Sequence, residues 1–273
     1  MTSATQFERQ GYLLYKEPLV SAEVITGAVA GMDQIRHGVS DTGRPPCASP
    51  WKPGDDTNKL CKIENPQFAS KGIRRLLQQP AIGETIARAT GAEMVQVWWV
   101  QLLYKPSTSS DTPVTTGVGW HLDWTYWQGH WVDGSELMTA WFALSDVEDD
   151  CGPMRFVDGS NHWSGLEGGD FFAQELNHEG FTVPPGEQWH ETPAILPLGG
   201  MSLHHKLTLH GSGPNTSGRP RRSLAIHVRT EKSRPRGNVE GTIVADDLSG
   251  YIDDLELCPI IYGERVASAF ERD

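Results

Sequence analysis

The sequence predicts a mainly β protein, a jelly roll preceded by flanking α-helices. Three observations point there. Apolar residues recur at helical spacing only in roughly the first 90 positions. From Ala92 to Thr230, short β-branched and aromatic runs take over, each closed by a turn rich in Gly, Pro or Asp. The 273 residues are enough for one large core, and 38% are hydrophobic, the composition of a globular chain.

Val24, Ala28, Met32 and Ile35 form one helical stripe, with Ser21 as its N-cap and Gly38 near its end. Residues 40–60 are rich in Gly, Pro, Asp and Ser and read as a surface loop suited to a lid. Ile73, Leu76, Leu77, Ile82 and Ile86 predict a second helical region, interrupted at Pro80. The run 94–104 is a long strand, and further strands are expected over 137–144, 154–157, 194–198, 201–204, 207–210 and 223–230. Helices before many short strands favour the jelly roll over other sandwiches. The expected organisation is one domain over 1–273: a helical part to about 90, a jelly-roll core from about 92 to 230, and a tail from about 231. That tail is polar, then carries a short apolar patch, Leu257 to Tyr262, fit to cover a sheet edge or a partner subunit.

A net charge of −12 argues against nucleic acid or an anionic membrane as partner, because phosphate surfaces demand a basic face. No apolar run approaches the roughly 20 residues that span a bilayer. Met1 to Glu8 lacks a basic-then-apolar leader, so a cytoplasmic monomer or homodimer is expected. Cys47, Cys61, Cys151 and Cys258 form no CxxC pair and read as free thiols rather than a zinc site.

The chemistry concentrates in Gly119-Trp120-His121-Leu122-Asp123-Trp124. A strand points His121 and Asp123, two residues apart, to one face. His210 follows 89 residues later, in Thr208-Leu209-His210-Gly211-Ser212-Gly213. Two imidazoles and one carboxylate, arranged facially with open positions opposite, suit non-haem Fe(II). The open positions take an oxo acid through two oxygens and then dioxygen. An acid at 123, rather than a small residue, argues against halide binding there. Arg221, at the start of the next strand, can hold a dicarboxylate through a bidentate pair, with Ser212 adding a hydroxyl. In that strand Arg221, Ser223 and Ala225 share one face, and Arg222, Leu224 and Ile226 the other. His204 would share His210's face but lie about 20 Å along an unbroken strand, too far for one ion. It and His205 therefore read as packing or hydrogen-bonding residues. His37, His130, His162, His178, His190 and His227 read as surface, turn or structural residues.

The chain resembles the phytanoyl-CoA dioxygenase family of Fe(II)/2-oxoglutarate oxygenases. The resemblance rests on Tyr104-Lys105-Pro106, on the stretch 119–123, on Ala140-Trp141-Phe142-Ala143-Leu144, on 151–162 and on 204–227. It implies a double-stranded β-helix, cupin-like in form. It implies iron on His121, Asp123 and His210, and 2-oxoglutarate near Gln101, Trp141, Ser212 and Arg221. The expected reaction is oxidation, in the first place hydroxylation, of a C–H bond in a small organic molecule, with succinate and CO2 released and O2 consumed. Trp120, Trp124, Tyr126, Trp127 and Trp131 crowd the iron motif, and Trp124, Trp127, Met154 and Arg155 are candidate substrate contacts. Aromatic residues and the acidic balance lean away from a CoA thioester, towards a secondary-metabolite-like or cationic substrate. Two other readings stay open: a non-oxidative metal-dependent jelly-roll enzyme, and a catalytically silent binding protein.

Overall fold

The computed structural model describes residues 2–108, 116–166, 169–173, 175–236 and 251–272. Much of the tail's polar stretch lies outside the described residues. Five helices are described: α1 (Ser3–Gln10), α2 (Ala22–Arg36), α3 (Lys71–Leu77), α4 (Pro80–Thr90) and the short α5 (Asp123–Trp127). Eleven strands accompany them: β1 (Tyr12–Tyr15), β2 (Cys61–Glu64), β3 (Val95–Lys105), β4 (Val118–His121), β5 (Leu137–Ala143), β6 (Met154–Val157), β7 (Glu191–Pro193), β8 (Met201–His205), β9 (His210–Ser212), β10 (Arg221–Thr230) and β11 (Ile260–Tyr262).

The strands form two antiparallel sheets. The major sheet runs β1-β8-β5-β10-β3-β11, with β2 also on β3, and the minor sheet runs β4-β9-β6-β7. This is the mainly β, double-stranded architecture expected from the sequence. Along the major sheet, strand parity divides two environments. Met138, Ala140, Phe142, Leu224, Ile226 and Val228 face outwards, into the core shared with α2, α3 and α4. Trp141, Ala143, Leu103 and Ala225 face inwards with Met154 and Phe156 of the minor sheet. The helices thus back one face, and the other face is free to build a site.

The helices follow their sequence signals. The Ser21 hydroxyl accepts from Val24 N–H, and Gly38 takes φ +80° just past the end of α2. Pro80 does not kink a helix but starts α4, where its missing N–H costs nothing. The apolar patch near the C-terminus forms β11, which covers the β3 edge.

The short strands depart from expectation. β1 and β2 have four residues each and exist through pairing with β8 and β3, a tertiary cause that periodicity does not register. The run 194–198 holds one bridge, Leu196 to Val147, while the strand lies earlier, as β7. The run 207–210 is not a strand. The chain turns at Lys206-Leu207, where His205 Nδ1 accepts the Leu207 N–H at 3.2 Å, and pairing resumes only at His210. α5 likewise begins at Asp123, so β4 ends at His121.

An imidazole that accepts a backbone N–H must be neutral there, and burial, reinforced by Lys206, pushes His205 down to about 4. The unfolded chain binds a proton near pH 6.5, the folded chain only near 4, so stability is full above 6.5 and falls as pH drops towards 4. Urea unfolding should lose about 1–2 kcal/mol from this group between pH 7 and 5. His205→Gln should flatten that slope; an unchanged slope would refute the assignment.

Candidate metal centre

Registered strand pairing builds the site as rungs across the inner face of the major sheet. His204 of β8 lies opposite Thr139 of β5, and Thr139 opposite His227 of β10, which in turn faces Trp99 of β3. The next rung carries Ser202, Trp141, Ala225, Gln101 and Glu64. Lys62 and Ser223 flank Leu103 one rung further, and Arg221 faces Lys105 at the end. A bulge in β3 brings both Trp98 and Trp99 to the inner side. Together the two sheets enclose a cavity of about 380 Å³.

The minor sheet supplies the imidazoles. His121 and His210 are direct partners across β4 and β9, with ring centroids 4.2 Å apart, so their sequence separation vanishes. Leu122 stays extended beyond β4, which returns Asp123 to the face of His121 although it opens α5. One ligand atom from each of His121, Asp123 and His210 lies within 4.8 Å of the others, and all three residues are buried.

Protonation suits a divalent cation. Each histidine places Nδ1 on a backbone carbonyl two residues back: His121 on Gly119 at 2.8 Å, His210 on Thr208 at 2.9 Å. Nδ1–H donation leaves Nε2 a bare lone pair for a metal. Burial pushes both imidazoles down, His210 furthest, so they stay neutral. Burial alone would raise the Asp123 carboxyl, but the adjacent imidazoles of His210 and His204 more than offset this and hold it ionised.

Asp123 rests on the first rung. Thr139 Oγ1 donates to Asp123 Oδ2 at 2.6 Å, and His204 Nε2 lies 3.3 Å from the same oxygen. The single Thr139 proton is spent on the carboxylate, so Thr139 Oγ1 accepts from His227 Nδ1–H at 2.8 Å. Burial pushes His227 down to about 4, consistent with a neutral ring. Oδ1 remains on the side of His210, 3.7 Å from its Nε2.

At the far end two cations are buried without an acid. Lys105 Nζ donates to Ser212 Oγ at 2.7 Å and to Gly213 O at 2.6 Å. Arg221 donates to the Gly152 carbonyl, stands over Trp141 at 5.1 Å, and leaves Nε without a partner. Gly152 has φ +63°, and a Cβ there would strike Gly213 O at 2.3 Å, so this turn requires glycine. Among the described residues neither cation has an ion pair with a carboxylate. Burial, then the charge of Arg221, push Lys105 well below its ordinary range; burial lowers Arg221 to about 10. Such a pair is suited to an incoming carboxylate.

The structure brings His121, Asp123, His210, Gln101, Trp141, Ser212, Arg221, Trp127 and Met154 to the cavity. It places Trp124 elsewhere, with Lys206 Nζ 4.0 Å over its ring, and Arg155 on the opposite face of β6, paired with Glu191 at 3.5 Å. Trp120 packs behind the minor sheet against Trp189. His204 and His227, read from sequence as packing or structural residues, line the cavity; the His204 and His210 rings are 4.3 Å apart because the chain turns between them. Lys105 was missed, although a lysine closing an apolar strand was a signal that could have found it. Thr139, His204, His227 and Lys62 carried no signal without register.

The sequence model of phytanoyl-CoA dioxygenase matches residues 7–223. The chain belongs to the phytanoyl-CoA dioxygenase family. It is also similar to a probable alpha-ketoglutarate-dependent hypophosphite dioxygenase of Stutzerimonas stutzeri, 29% identical over 178 residues. That match spans 64% of this chain and 59% of the relative's length. Among solved structures, the epimerase SnoN in complex with Fe3+, alpha-ketoglutarate and nogalamycin RO superposes with TM-score 0.66 at 23% identity, over 89% of this chain and 91% of that one. The carbocyclase SnoK from nogalamycin biosynthesis gives 0.65 at 21%, over 95% and 98%. EctD from S. alaskensis, with 2-oxoglutarate and 5-hydroxyectoine, gives 0.63 at 17%, over 99% and 86%. These likenesses establish the shared fold.

If the rung orients Asp123 for a metal, Thr139→Val keeps the shape and removes the hydroxyl. Co(II) titration by calorimetry should then show affinity about 10- to 100-fold weaker. Unaltered affinity would mean the hydroxyl serves packing alone.

Proposed function

We propose that the chain is an Fe(II)- and 2-oxoglutarate-dependent dioxygenase that hydroxylates a C–H bond of a small organic molecule. One observation carries the reading: a two-histidine, one-aspartate cluster shares a cavity with Arg221, a buried cation that lacks an acid and is backed by Lys105 through Ser212. The donor set fits Fe(II), and the orphaned cations fit the distal carboxylate of a dicarboxylate co-substrate. Family membership supports it, as does the relative named for an alpha-ketoglutarate-dependent dioxygenase.

In this reading His121, Asp123 and His210 hold the iron on one side and leave the cavity side open. Arg221, Lys105 and Ser212 receive the far carboxylate, and Trp141 walls the co-substrate while Gln101 faces it from β3. When bound, iron and 2-oxoglutarate reduce dioxygen, release succinate and CO2, and supply the oxidant for the substrate C–H bond. The protein positions the substrate and excludes water: Trp98, Trp127 and Phe171 close the cavity around the metal ligands. The buried cation pair weighs against a non-oxidative metal enzyme, whose chemistry needs no dicarboxylate seat, and against a silent binding protein, which needs neither ligands nor seat.

Anaerobic addition of Fe(II) and 2-oxoglutarate should raise a weak visible charge-transfer band. His210→Ala should abolish it, and Arg221→Met should increase the 2-oxoglutarate needed for half-saturation at least ~10-fold. No band with the unaltered protein would sink the proposal.

A further inference from the structure

We propose that the prime substrate carries an oxyanion that docks on Lys62, which makes Lys62 the specificity-determining residue of the cavity; this rests on the reading above. Beyond the metal ligands and the co-substrate seat, the cavity wall is mostly apolar and aromatic, with one charged pair, Lys62 and Glu64. Both project inwards from β2, because Cys61 and Ile63 take the opposite face. Their side chains are only 13% and 12% exposed.

The two partners are not equally available. One Glu64 oxygen takes Lys62 Nζ at 3.2 Å, and the other accepts the Trp99 indole N–H at 2.7 Å. The carboxylate is thereby pinned. Lys62 spends one of its three N–H donors on Glu64 and stands 4.1 Å from the centre of the Phe171 ring. Two donors remain, so the pair offers the cavity a positioned ammonium rather than a carboxylate. Phe171 is itself 5.3 Å from the His121 ring, so Lys62 lies one aromatic ring away from a metal ligand.

Charge counting does not oppose this. Of the charged groups that line the cavity, Lys62 and Arg221 balance Asp123 and Glu64, and Fe(II) would balance a 2-oxoglutarate dianion. A cationic substrate, the lean of the acidic composition, meets no free acid here. The flat walls of Tyr126, Trp127 and Phe171 suit an apolar or aromatic body behind the anion.

The test titrates the anaerobic Fe(II)–2-oxoglutarate enzyme by calorimetry with 3-phenylpropionate, phenylphosphonate, 3-phenylpropionamide and 3-phenylpropylamine. At least one oxyanion should bind about 10-fold or more tighter than the amide and the amine, and which one does identifies carboxylate or phosphonate chemistry. Lys62→Gln should erase that preference, and Lys62→Arg should retain it. Equal binding of all four probes, preference for the amine, an oxyanion preference that survives Lys62→Gln, or no oxyanion binding at millimolar concentration would overturn the proposal. The charge-transfer band is read in the same samples. Its absence removes the iron and 2-oxoglutarate reading as well, whereas its presence with charge-blind binding removes only the Lys62 seat.

Discussion

The Asp123 carboxylate is the constraint on which the two sheets converge. It leaves the minor sheet at the end of β4 and is anchored on the major sheet by the Thr139 hydroxyl. A buried carboxylate costs several kcal/mol unless its oxygens are met by donors. Here one oxygen is met by a rung of the major sheet, and the other is left beside His210. That division depends on register. A one-residue slip of β5 would turn Thr139 to the helical side and replace it inwards with Met138 or Ala140. The helices and their outer core are thus indirectly part of the site, because they hold β5 in its parity.

A second feature runs against stability. Lys105 and Arg221 are direct partners on adjacent strands and both are buried. Like charges in that position are unfavourable, and no acid among the described residues offsets them. Ser212, Gly213 and Gly152 give them neutral acceptors, which lessens the cost without removing it. Strain of this kind is retained where a ligand relieves it.

The parts of this arrangement readable in the sequence are those set by local rules. Arg221, Ser223 and Ala225 fall on one face because strand parity is local, and the ends of α2 follow Ser21 and Gly38. His121 and Asp123 were legible as a pair for the same reason, even though α5 begins at Asp123. The distance from His204 to His210 was overestimated because it was measured along an unbroken strand, whereas the chain turns between them. The Lys206-Leu207 turn folds that length back, and nothing in the residue types announced it. Thr139 and His227 were invisible for a related reason: each matters through the strand beside it, and pairing partners are tertiary information.

Composition bears least directly on the substrate. Net charge is a property of the whole surface, and it describes steering and solubility rather than the inside of a cavity. Most of the acids are spread over the exterior, as in the turn 146–150, where Glu148 pairs with Arg219. Within the cavity the acids are already committed: Asp123 to Thr139 and the neighbouring imidazoles, Glu64 to Lys62 and Trp99. The cations there keep donors to spare. Selectivity in a closed site follows the groups left unpaired after internal hydrogen bonds are assigned, since these are what an incoming molecule must satisfy. By that criterion an acidic protein can carry a site for anions, and the low polarity of its aromatic walls strengthens the attraction that remains.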